Sequence, residues 1–277
     1  MLKKYEGMHK SVLVYSDENI KAEKKAKSYK ALAHYTNINA LKNILSSKKM
    51  RFTNIGALPD KSERNSIGGK EYSTYIFSLS FTHQLENNDK MWENFGDNYK
   101  GAKIIYSFNN NIEDLIEKNS LAEGMYCGKV TSKFEFSGKN SNYLRNDELL
   151  KRGILLELHY RDANYIDKGE LDFEGSFKIK NEFWTDLKNL VNIKGKCKYQ
   201  KETRINAVLM TNTNIEKIKY LYVPIDFEKL KEIKIEFGKN CEQKDIEKIE
   251  NIIKSEHLKN IKLIKAEEWS SAFYLSK

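Results

Sequence analysis

Hydrophobic positions recur at helical spacing in two segments of the chain, and each segment predicts an amphipathic helix. The apolar positions of the first helix are Ile38, Leu41, Ile44 and Leu45. The second helix runs from about Gln243 to Ser255, and its apolar positions are Ile246, Ile249, Ile252 and Ile253. Steps of three and four residues place these side chains on one buried face. Thr36 is expected to cap the first helix.

Short apolar runs bounded by turn residues predict strands elsewhere. The predicted strands are residues 31–35, 50–55, 75–80, 102–108, 202–210, 220–223, 233–237 and 261–264. Further helices are predicted at 88–96, 112–116, 146–156 and 181–191, and a polar loop holds Pro59 and Gly68-Gly69. Strands mixed with helices, without a regular β-α alternation, favour the α+β class.

Lysine residues crowd the N-terminal segment, at Lys21, Lys24, Lys25, Lys27 and Lys30. We expect residues 1–30 to form a basic arm or a solvated helix, and residues 31–277 to form a single domain. The chain carries 48 Lys and Arg residues against 39 Asp and Glu residues, a net charge of +9. This charge permits attraction to a polyanion, because neutralised phosphates release counterions. Lysine-rich compositional drift without any such partner is the alternative.

Other features exclude several classes of protein. No apolar run approaches the roughly 20 residues of a membrane helix, and the charged start lacks the apolar stretch of a signal peptide. The cysteines, Cys127, Cys197 and Cys241, offer no disulfide framework and no zinc spacing. Dinucleotide-binding GxGxxG, P-loop, HExxH and GxSxG motifs do not occur. We therefore expect a cytoplasmic protein without a metal site, and neither hydride transfer nor P-loop hydrolysis.

The segment Ala33-His34-Tyr35-Thr36 holds the first candidate site residues, on a strand that runs into a helix. The His34 imidazole can hydrogen-bond a ribose hydroxyl, while the start of the helix supplies backbone donors. Arg51, just after that helix, can hold a pyrophosphate with its planar guanidinium. Two alternatives stay open: a strand-end histidine bonded to backbone, and a surface arginine on an edge strand.

A second group lies on the next strand and the segment after it. Ser78 and Ser80 share one strand face, opposite large apolar residues. Two hydroxyls flanked by aromatic rings suit a planar ring held in a slot. In the following segment, Trp92 and Phe95 are expected in the core, whereas Tyr99 stays open between core and slot.

A third group, Tyr199-Gln200-Lys201-Glu202-Thr203-Arg204, enters another strand. Gln200 and Glu202 are two residues apart, so they point to the same side of an extended segment. A carboxylate there can stabilise positive charge that develops on a sugar, while the amide positions an acceptor. The alternative is a solvated strand edge with a Glu202–Arg204 ion pair, since charged residues usually face water.

The order of these groups over residues 31 to 265 resembles the pattern of a large bacterial family. The matching segments are His34-Tyr35-Thr36, Met50-Arg51-Phe52-Thr53-Asn54, Phe77-Ser78-Leu79-Ser80, Trp92, Tyr99, Gly101 and Glu202-Thr203-Arg204. The succession of a His strand, a Ser strand and a Glu strand also resembles the ADP-ribosyltransferase superfamily. The opening segment and helix are similar to those of the DarT-like DNA-modifying toxins. The chain departs from a Ser-Thr-Ser motif, because Ser78-Leu79-Ser80 stands in its place.

The resemblance implies an α+β fold with a split mixed β-sheet core of ADP-ribosyltransferase type and peripheral helices, and NAD as a substrate. Glu202 is then the catalytic residue that stabilises the cationic ribose, and Gln200 positions the acceptor. His34 holds the adenosine-side ribose and Arg51 holds the pyrophosphate. The residues implied to bind NAD are His34, Tyr35, Thr36, Arg51, Ser80 and Tyr99, of which Ser80 and Tyr99 line the nicotinamide pocket.

The implied function is ADP-ribosyl transfer by a toxin or effector in phage defence or a toxin–antitoxin system, held in check by an antitoxin protein. The basic charge points to a nucleic-acid acceptor, RNA or DNA, contacted by Lys24, Lys25 and Lys27. The alternative is a catalytically inactive module of the same fold that senses nucleotide or nucleic acid in a defence locus. A nuclease is a weaker alternative, because acidic residues spaced as one metal site are not found.

Overall fold

The helices and strands of the protein are seen in a computed structural model that describes residues 10–14, 17–58, 73, 75–116, 122–123, 129–130, 135–138, 155–166, 177–179, 182–186, 192–210 and 218–266. The helices are α1 (Asp17–Ser28), α2 (Ile38–Ser47), α3 (Asp89–Phe95) and α4 (Gln243–Ser255). The strands are β1 (Lys10–Val14), β2 (Ala31–Thr36), β3 (Lys49–Asn54), β4 (Ile76–Thr82), β5 (Ala102–Phe108), β6 (Ala122–Glu123), β7 (Lys129–Val130), β8 (Glu135–Gly138), β9 (Leu155–Asp162), β10 (Asn164–Ile166), β11 (Phe177–Ile179), β12 (Glu182–Asp186), β13 (Asn192–Lys194), β14 (Glu202–Met210), β15 (Ile218–Pro224), β16 (Leu230–Phe237) and β17 (Ile261–Ile264).

Twelve of the described strands form one mixed sheet. Its main path runs β17-β16-β5-β2-β4-β14-β9-β7-β6, and β3, β15 and β8 branch from β4. The pairing of β16 with β17 is parallel, whereas β5, β2, β4, β14 and β9 pair with their neighbours in antiparallel fashion. The α+β class and the mixed sheet predicted from the sequence are confirmed.

The sheet splits along one edge of β4, where two strands share a single neighbour. Near its C-terminal end β4 pairs with β2 through Ala33 and Thr82. Nearer its start β4 pairs with β3, and Thr53 lies opposite Ser78 there. Ser80 lies between these two contacts, where β2 and β3 part from each other. The gap between the diverging strands places a cleft at Ser80.

The two faces of the sheet differ in polarity around β4 and β14. Phe77, Leu79 and Phe81 of β4 are buried in the hydrophobic core, together with Ile205 and Ala207 of β14. The intervening residues alternate to the opposite face, because successive side chains of a strand point to opposite sides. That opposite face carries Ser78, Ser80, Glu202 and Arg204, and Arg204 pairs with Ser80 in the register.

Helix α2 packs by the face that the sequence predicts, but it begins differently. Its residues Ile38, Leu41, Ile44 and Leu45 are buried. The N-cap is Asn37, whose side chain accepts a hydrogen bond of 2.8 Å from the backbone N–H of Ala40. Thr36 ends β2 instead, so the expected cap at Thr36 is wrong by one residue. Both residue types cap helices, and the strand pairing of Thr36 with Ala102 decides between them.

Helix α1 lies within the segment predicted as a basic arm, and it packs against the sheet at β9. Ala26 of α1 is fully buried. Lys27 bridges Glu23 at 2.6 Å and Glu113 at 3.0 Å, so its charge is neutralised within the fold. This part of the segment is therefore a packed helix. The division into an arm over 1–30 and a single domain over 31–277 stays a prediction.

Two helices predicted in the middle of the chain are wrong where the structure describes them. Residues 182–186 form β12, which pairs with both β1 and β11. Leu155 and Leu156 begin β9, which pairs with β14. Aromatic and apolar runs of this length suit either element by pattern, and strand pairing with distant segments decides the outcome. The remainders of both predicted helices, and the predicted loop with Pro59 and Gly68-Gly69, lie outside the described residues.

Candidate active site

A cleft of about 390 Å³ lies where β2 and β3 part from β4. Its walls come from β2, α2, β3, β4, α3 and the start of β14. The candidate site residues from the sequence that line this cleft are His34, Tyr35, Thr36, Arg51, Ser78, Ser80, Gln200 and Glu202. These residues come from segments far apart in sequence, and the split of the sheet brings them to one place.

The side chain of His34 bonds to the edge of β4 at the point where neither β2 nor β3 pairs with it. Its Nδ1 lies 2.9 Å from the backbone carbonyl oxygen of Ser80. A carbonyl oxygen only accepts hydrogen bonds, so Nδ1 carries the proton. In the neutral imidazole, Nε2 is then a hydrogen-bond acceptor. The expectation that His34 bonds to backbone is therefore met at one ring nitrogen, and the other nitrogen keeps its acceptor lone pair.

The cleft keeps the His34 imidazole neutral. Burial lowers the pKa of His34 below its ordinary value of 6.5, the bond to the Ser80 carbonyl opposes that shift, and the charge of Arg51 lowers the pKa further. At neutral pH the ring is therefore an uncharged acceptor at Nε2. Such a group suits a hydroxyl donor and gives no attraction to an anion.

Arg51 is an exposed side chain of β3 at the rim of the cleft. Its guanidinium lies over the ring of Tyr220, with Cζ 4.5 Å from the ring centroid. This cation–π contact restricts the guanidinium and leaves its edge donors available to a ligand. Lys49 of the same strand also lines the cleft, so two cations stand on this wall.

Glu202 begins β14 as a buried carboxylate paired with Arg204. The Nε of Arg204 donates to Oε1 of Glu202 at 2.6 Å, and the two side chains are 7% and 6% exposed. The ion pair expected as an alternative does form, but β14 is an inner strand between β4 and β9. The pair is buried and faces the cleft, so the alternative is wrong in placing it on a solvated strand edge.

The backbone of Glu202 is fixed by Ala163, which joins β9 to β10, and by Tyr165 of β10. Its N–H donates to the Tyr165 hydroxyl at 2.8 Å, and its carbonyl accepts from the Ala163 N–H at 2.8 Å. Next to it, the Thr203 hydroxyl donates to Asp162 Oδ1 at 2.7 Å. These contacts hold the start of β14 in one place, and the Glu202 side chain emerges from it into the cleft.

Gln200 ends the short 3₁₀ segment Gly195–Gln200 that leads into β14. The preceding residue is tied to the start of α3, because the Asn88 side chain donates to the Tyr199 carbonyl at 3.0 Å. Gln200 and Glu202 both line the cleft. The extended segment from which this was expected is wrong, because Gln200 lies in the 3₁₀ segment and Lys201 has a φ of 43°. The amide therefore stands at the entrance of the strand whose first residue carries the carboxylate.

Tyr35 and Thr36 line the cleft as buried residues at the end of β2. The Tyr35 ring meets Trp92 edge to face, with centroids 5.1 Å apart. Trp92 is fully buried, as expected from the sequence. Tyr35 thus joins the cleft wall to an aromatic cluster beneath α3.

Tyr99 is not among the residues that line the cleft. Its ring stacks on Trp92 at 5.8 Å, and its hydroxyl donates to Asp89 at 2.5 Å. Lys239 also lies over this ring, with Nζ 4.3 Å from the centroid. Tyr99 therefore anchors α3, and it lies outside the cleft in which the resemblance places it.

Gly101, which follows Trp92 and Tyr99 in the motif order, allows close backbone packing beside the cleft. A Cβ at Gly101 would lie 2.9 Å from the carbonyl oxygen of Gly96 and closer still to that of Thr36. Only glycine admits this approach of three backbone segments. Gly101 thereby sets how α3 and the end of β2 meet.

The position of Phe95 differs from the one expected from the sequence. Its side chain is 43% exposed and lines the cleft, so its predicted place in the core is wrong. Trp92 and Phe95 lie three residues apart on a helix of only seven residues, and the short helix buries Trp92 and Met91 alone. The cleft wall also holds residues that the sequence pattern does not single out, because single polar residues on amphipathic elements carry no distinctive pattern: Asn43, Ser47, Lys49 and Tyr222.

The lysines proposed to contact nucleic acid lie at a distance from the cleft wall. Lys25 is 68% exposed and bridges Asp162 at 2.9 Å. Asp162 also binds Thr203, whose side chain points to the sheet face opposite Glu202. Lys24 is exposed. The lysine helix thus lies at the same end of β14 as the cleft but on the other face of the sheet.

The described parts of the chain hold neither a metal-binding cluster nor a membrane-spanning helix. No group of three or more His, Cys, Asp and Glu side chains there can hold a metal ion. No helix there is long and apolar enough to cross a membrane.

Comparisons with known proteins add one structural likeness. No protein-family model matches the chain, and no curated protein matches it. A solved structure described as Thermus sp. 2.9 DarT in complex with NAD+ is similar to it, with 13% sequence identity and a TM-score of 0.32. The match covers 87% of this chain and 98% of that chain. A likeness of this degree carries no argument about chemistry, which rests on the cleft residues themselves.

The first prediction concerns the protonation of His34. We expect nuclear magnetic resonance titration to give His34 a pKa below 6.5, because burial disfavours the charged ring. In Arg51→Ala this pKa should rise but stay below 6.5, since the larger cause, burial, remains. The free energy of unfolding should fall as the pH drops below about 6.5. In that range His34 binds a proton in the unfolded chain but stays neutral in the folded chain.

The control for this titration is Lys100→Ala, which removes an exposed charge outside the cleft. It should leave the pKa of His34 unchanged. Two results would contradict the burial of this ring beside Arg51. One is a His34 pKa at or above 6.5 in the wild-type protein, and the other is a His34 pKa that does not change in Arg51→Ala.

Proposed function

We propose that the protein is an NAD-dependent ADP-ribosyltransferase. The observation that carries this proposal is the cleft, which gathers a neutral imidazole, a cationic rim and a buried carboxylate in the order that the sequence resemblance implies. His34, Arg51 and Glu202 come from three separate strands of the split sheet. Their chemistry matches the hydroxyl, phosphate and cationic parts of the reacting dinucleotide.

His34 holds a ribose hydroxyl in this proposal. Its Nε2 accepts the hydroxyl hydrogen, while the bond from Nδ1 to the Ser80 carbonyl fixes the tautomer and the ring plane. Neutrality matters here, because a protonated ring would lose the acceptor. The lowered pKa of His34 keeps that acceptor present at neutral pH.

Arg51 binds the pyrophosphate in this proposal. Its guanidinium rests on Tyr220, so the planar edge can form paired hydrogen bonds to phosphate oxygens. Lys49 on the same wall adds a second positive charge. Ser80, Tyr35 and Thr36 complete the binding surface between this rim and Glu202.

Glu202 acts on the ribose that loses nicotinamide. The bond from the sugar to nicotinamide breaks, the neutral leaving group takes the electron pair, and positive charge develops on the ribose. The Glu202 carboxylate accepts a hydrogen bond from a ribose hydroxyl and stabilises this charge electrostatically. Arg204 fixes the carboxylate orientation through its bond to Oε1. Gln200, two residues earlier, positions the acceptor that attacks the ribose, and the proton that the acceptor loses passes to solvent.

The acceptor in this proposal is a nucleic acid, RNA or DNA, and the protein acts as a toxin or effector restrained by an antitoxin. The net charge of +9 supports a polyanionic acceptor. Lys24 is an exposed cation of α1 that suits a phosphate backbone, and Lys25 stays 68% exposed although it bridges one carboxylate, that of Asp162. Lys27 is not suited, because its ammonium already binds two carboxylates.

The second prediction tests transfer directly. The purified chain is incubated with labelled NAD and, separately, with DNA, RNA and cell lysate, and the products are separated on gels. In Glu202→Gln we expect labelling to fall by roughly 10²-fold or more, because a neutral amide no longer stabilises the cationic ribose. Binding of NAD should be largely kept.

The matched control is Glu93→Gln, the same substitution at an exposed position that does not line the cleft. Its labelling should equal that of the wild-type chain, and thermal melts should show that both variants are folded. Full labelling by Glu202→Gln would remove Glu202 from the mechanism. A wild-type chain that binds NAD but labels no acceptor would favour the inactive sensor module.

The third prediction concerns the nucleic acid. Binding of RNA or DNA should weaken steeply with salt, since each neutralised phosphate contributes about −0.9 for a duplex or −0.7 for a single strand to the log–log slope. The double variant Lys24→Gln/Lys25→Gln should flatten this slope in fluorescence titrations. Lys27→Gln should keep the slope but lower the melting temperature, because Glu23 and Glu113 lose their partner. An unchanged slope in the double variant would remove α1 from the interface.

A further inference from the structure

Lys103 is a fully buried lysine that the proposed chemistry does not use. It lies on β5, directly opposite Tyr35 in the register of β2 and β5. The ammonium stands 5.9 Å from the centroid of the Tyr35 ring, and the cleft lining does not include Lys103 itself. A lysine is almost never fully buried in a protein unless its charge is paired. The contacts of Lys103 therefore indicate what this charge holds in place.

Oxygen atoms from two other segments surround the Lys103 ammonium. Its Nζ donates to the carbonyl oxygen of Leu85 at 2.9 Å and to Oδ1 of Asn87 at 3.1 Å. It also forms an ion pair of 2.6 Å with Glu236 of β16. An ammonium group has three donor hydrogens, so it can serve all three oxygens. Burial lowers the pKa of Lys103, whereas Glu236 raises this pKa and so favours the charged form.

The connection between β4 and α3 is thereby tied to the sheet, because both Leu85 and Asn87 lie in it. Oδ1 of Asn87 also accepts a hydrogen bond of 3.4 Å from Nε1 of Trp92 in α3. Lys103 and the buried indole of the helix thus share one oxygen atom. The ammonium fixes the connection at two points immediately before the helix begins.

The next residue, Asn88, extends this anchorage to the segment that enters β14. Its side-chain oxygen caps α3, and its Nδ2 donates to the carbonyl oxygen of Tyr199 at 3.0 Å. Asn94 of α3 also donates to the Tyr199 hydroxyl at 3.3 Å. Gln200 follows directly and lines the cleft. Together, α3 and Gln200 form what we call the α3 wall of the cleft.

The proposed NAD contacts on the opposite side of the cleft are fixed in other ways. His34 bonds to the carbonyl oxygen of Ser80, and the Arg51 guanidinium lies over the Tyr220 ring. Neither contact involves the connection between β4 and α3. A change at Lys103 should therefore disturb the α3 wall before it disturbs these contacts.

A buried ion pair is often no more stable than a well-packed apolar pair, so stability alone does not explain the pair of Lys103 and Glu236. We propose that Lys103 is a positioning residue that holds the α3 wall in place for the acceptor. It touches no ligand and acts through Asn88 and Tyr199 on Gln200. The inference rests on the proposed function only in assigning the acceptor to this wall.

The first part of the test is hydrogen exchange of the full chain, followed by mass spectrometry. Lys103→Met keeps a long apolar side chain but removes the ammonium. Amide exchange in residues 83–88 and 195–201 should become about tenfold faster, as expected when hydrogen bonds from a charged donor are lost. Exchange in β3, which carries Arg51, should stay within about twofold of the wild-type rate.

The second part separates the two substrates of the proposed reaction. In Lys103→Met the affinity for NAD, measured by calorimetry, should stay within about twofold of the wild-type value. The kcat/KM for the nucleic-acid acceptor should fall by about tenfold, because the α3 wall no longer holds Gln200 in place. A merely structural role would lower the melting temperature and leave the kcat/KM of the folded protein unchanged.

The matched control is Lys234→Met, the same substitution on β16 at a lysine whose ion pair with Glu232 is exposed. It should change neither the exchange rates nor the kinetics. Thermal melts report whether Lys103→Met is folded. If it is not, Lys103→Met/Glu236→Met serves in its place, because it leaves no unpaired charge in the interior.

Unchanged exchange in residues 195–201 would overturn the coupling, as would equally faster exchange in β3. Faster exchange with an unchanged kcat/KM for the acceptor would overturn the assignment of the acceptor to the α3 wall. The exchange experiment does not depend on turnover. Faster exchange confined to the two segments, in a chain whose wild-type form transfers no label, would keep Lys103 as the anchor of this wall and reject the proposed transferase.

Discussion

The shared edge of β4 is the constraint on which the site depends. Two strands, β2 and β3, pair with the same edge at different points and diverge between them. The divergence leaves the Ser80 carbonyl to be bound by the His34 side chain instead of a strand partner. A continuous sheet would close this gap and would leave no cleft. The same feature thus creates the cavity, fixes the histidine tautomer and places Arg51 opposite it on β3.

The buried pair of Glu202 and Arg204 forms the other wall of the cleft. Desolvating two charges costs several kcal/mol for each ion, and a well-packed apolar pair is often as stable. Removing one partner of such a pair typically costs about 3–5 kcal/mol, because the other charge stays buried. We interpret the pair as a carboxylate held ready for a cationic ligand at some expense of stability. The contacts of Ala163 and Tyr165 support this interpretation, since they fix the Glu202 backbone.

Much of the framework around the cleft is predictable from local pattern. The bounds predicted for β14, α4 and β17 agree with the structure, because each alternates or repeats cleanly between turn residues. The prediction fails at residues 182–186, where pairing with distant strands overrides a pattern that also suits a helix. Phe95 fails for a different reason: a helix of seven residues is too short to bury both of its aromatic rings.

The site is predictable only in part, and the limit is three-dimensional. The order of motifs along the chain identifies most of the proposed ligand-binding residues of the cleft, including His34, Arg51 and Glu202. It cannot show that Tyr99 stacks beneath α3 or that Lys27 is neutralised by Glu23 and Glu113.

The most direct measurement of the central claim is calorimetric titration of NAD into the wild-type chain and into His34→Ala and Arg51→Ala. The account predicts that the wild-type chain binds NAD with one site. It predicts weaker binding in both variants, because one loses the acceptor for a ribose hydroxyl and the other loses the pyrophosphate contact. Thermal melts should show that both variants keep the fold. Affinity unchanged in both variants, or no binding by the wild-type chain, would contradict the account.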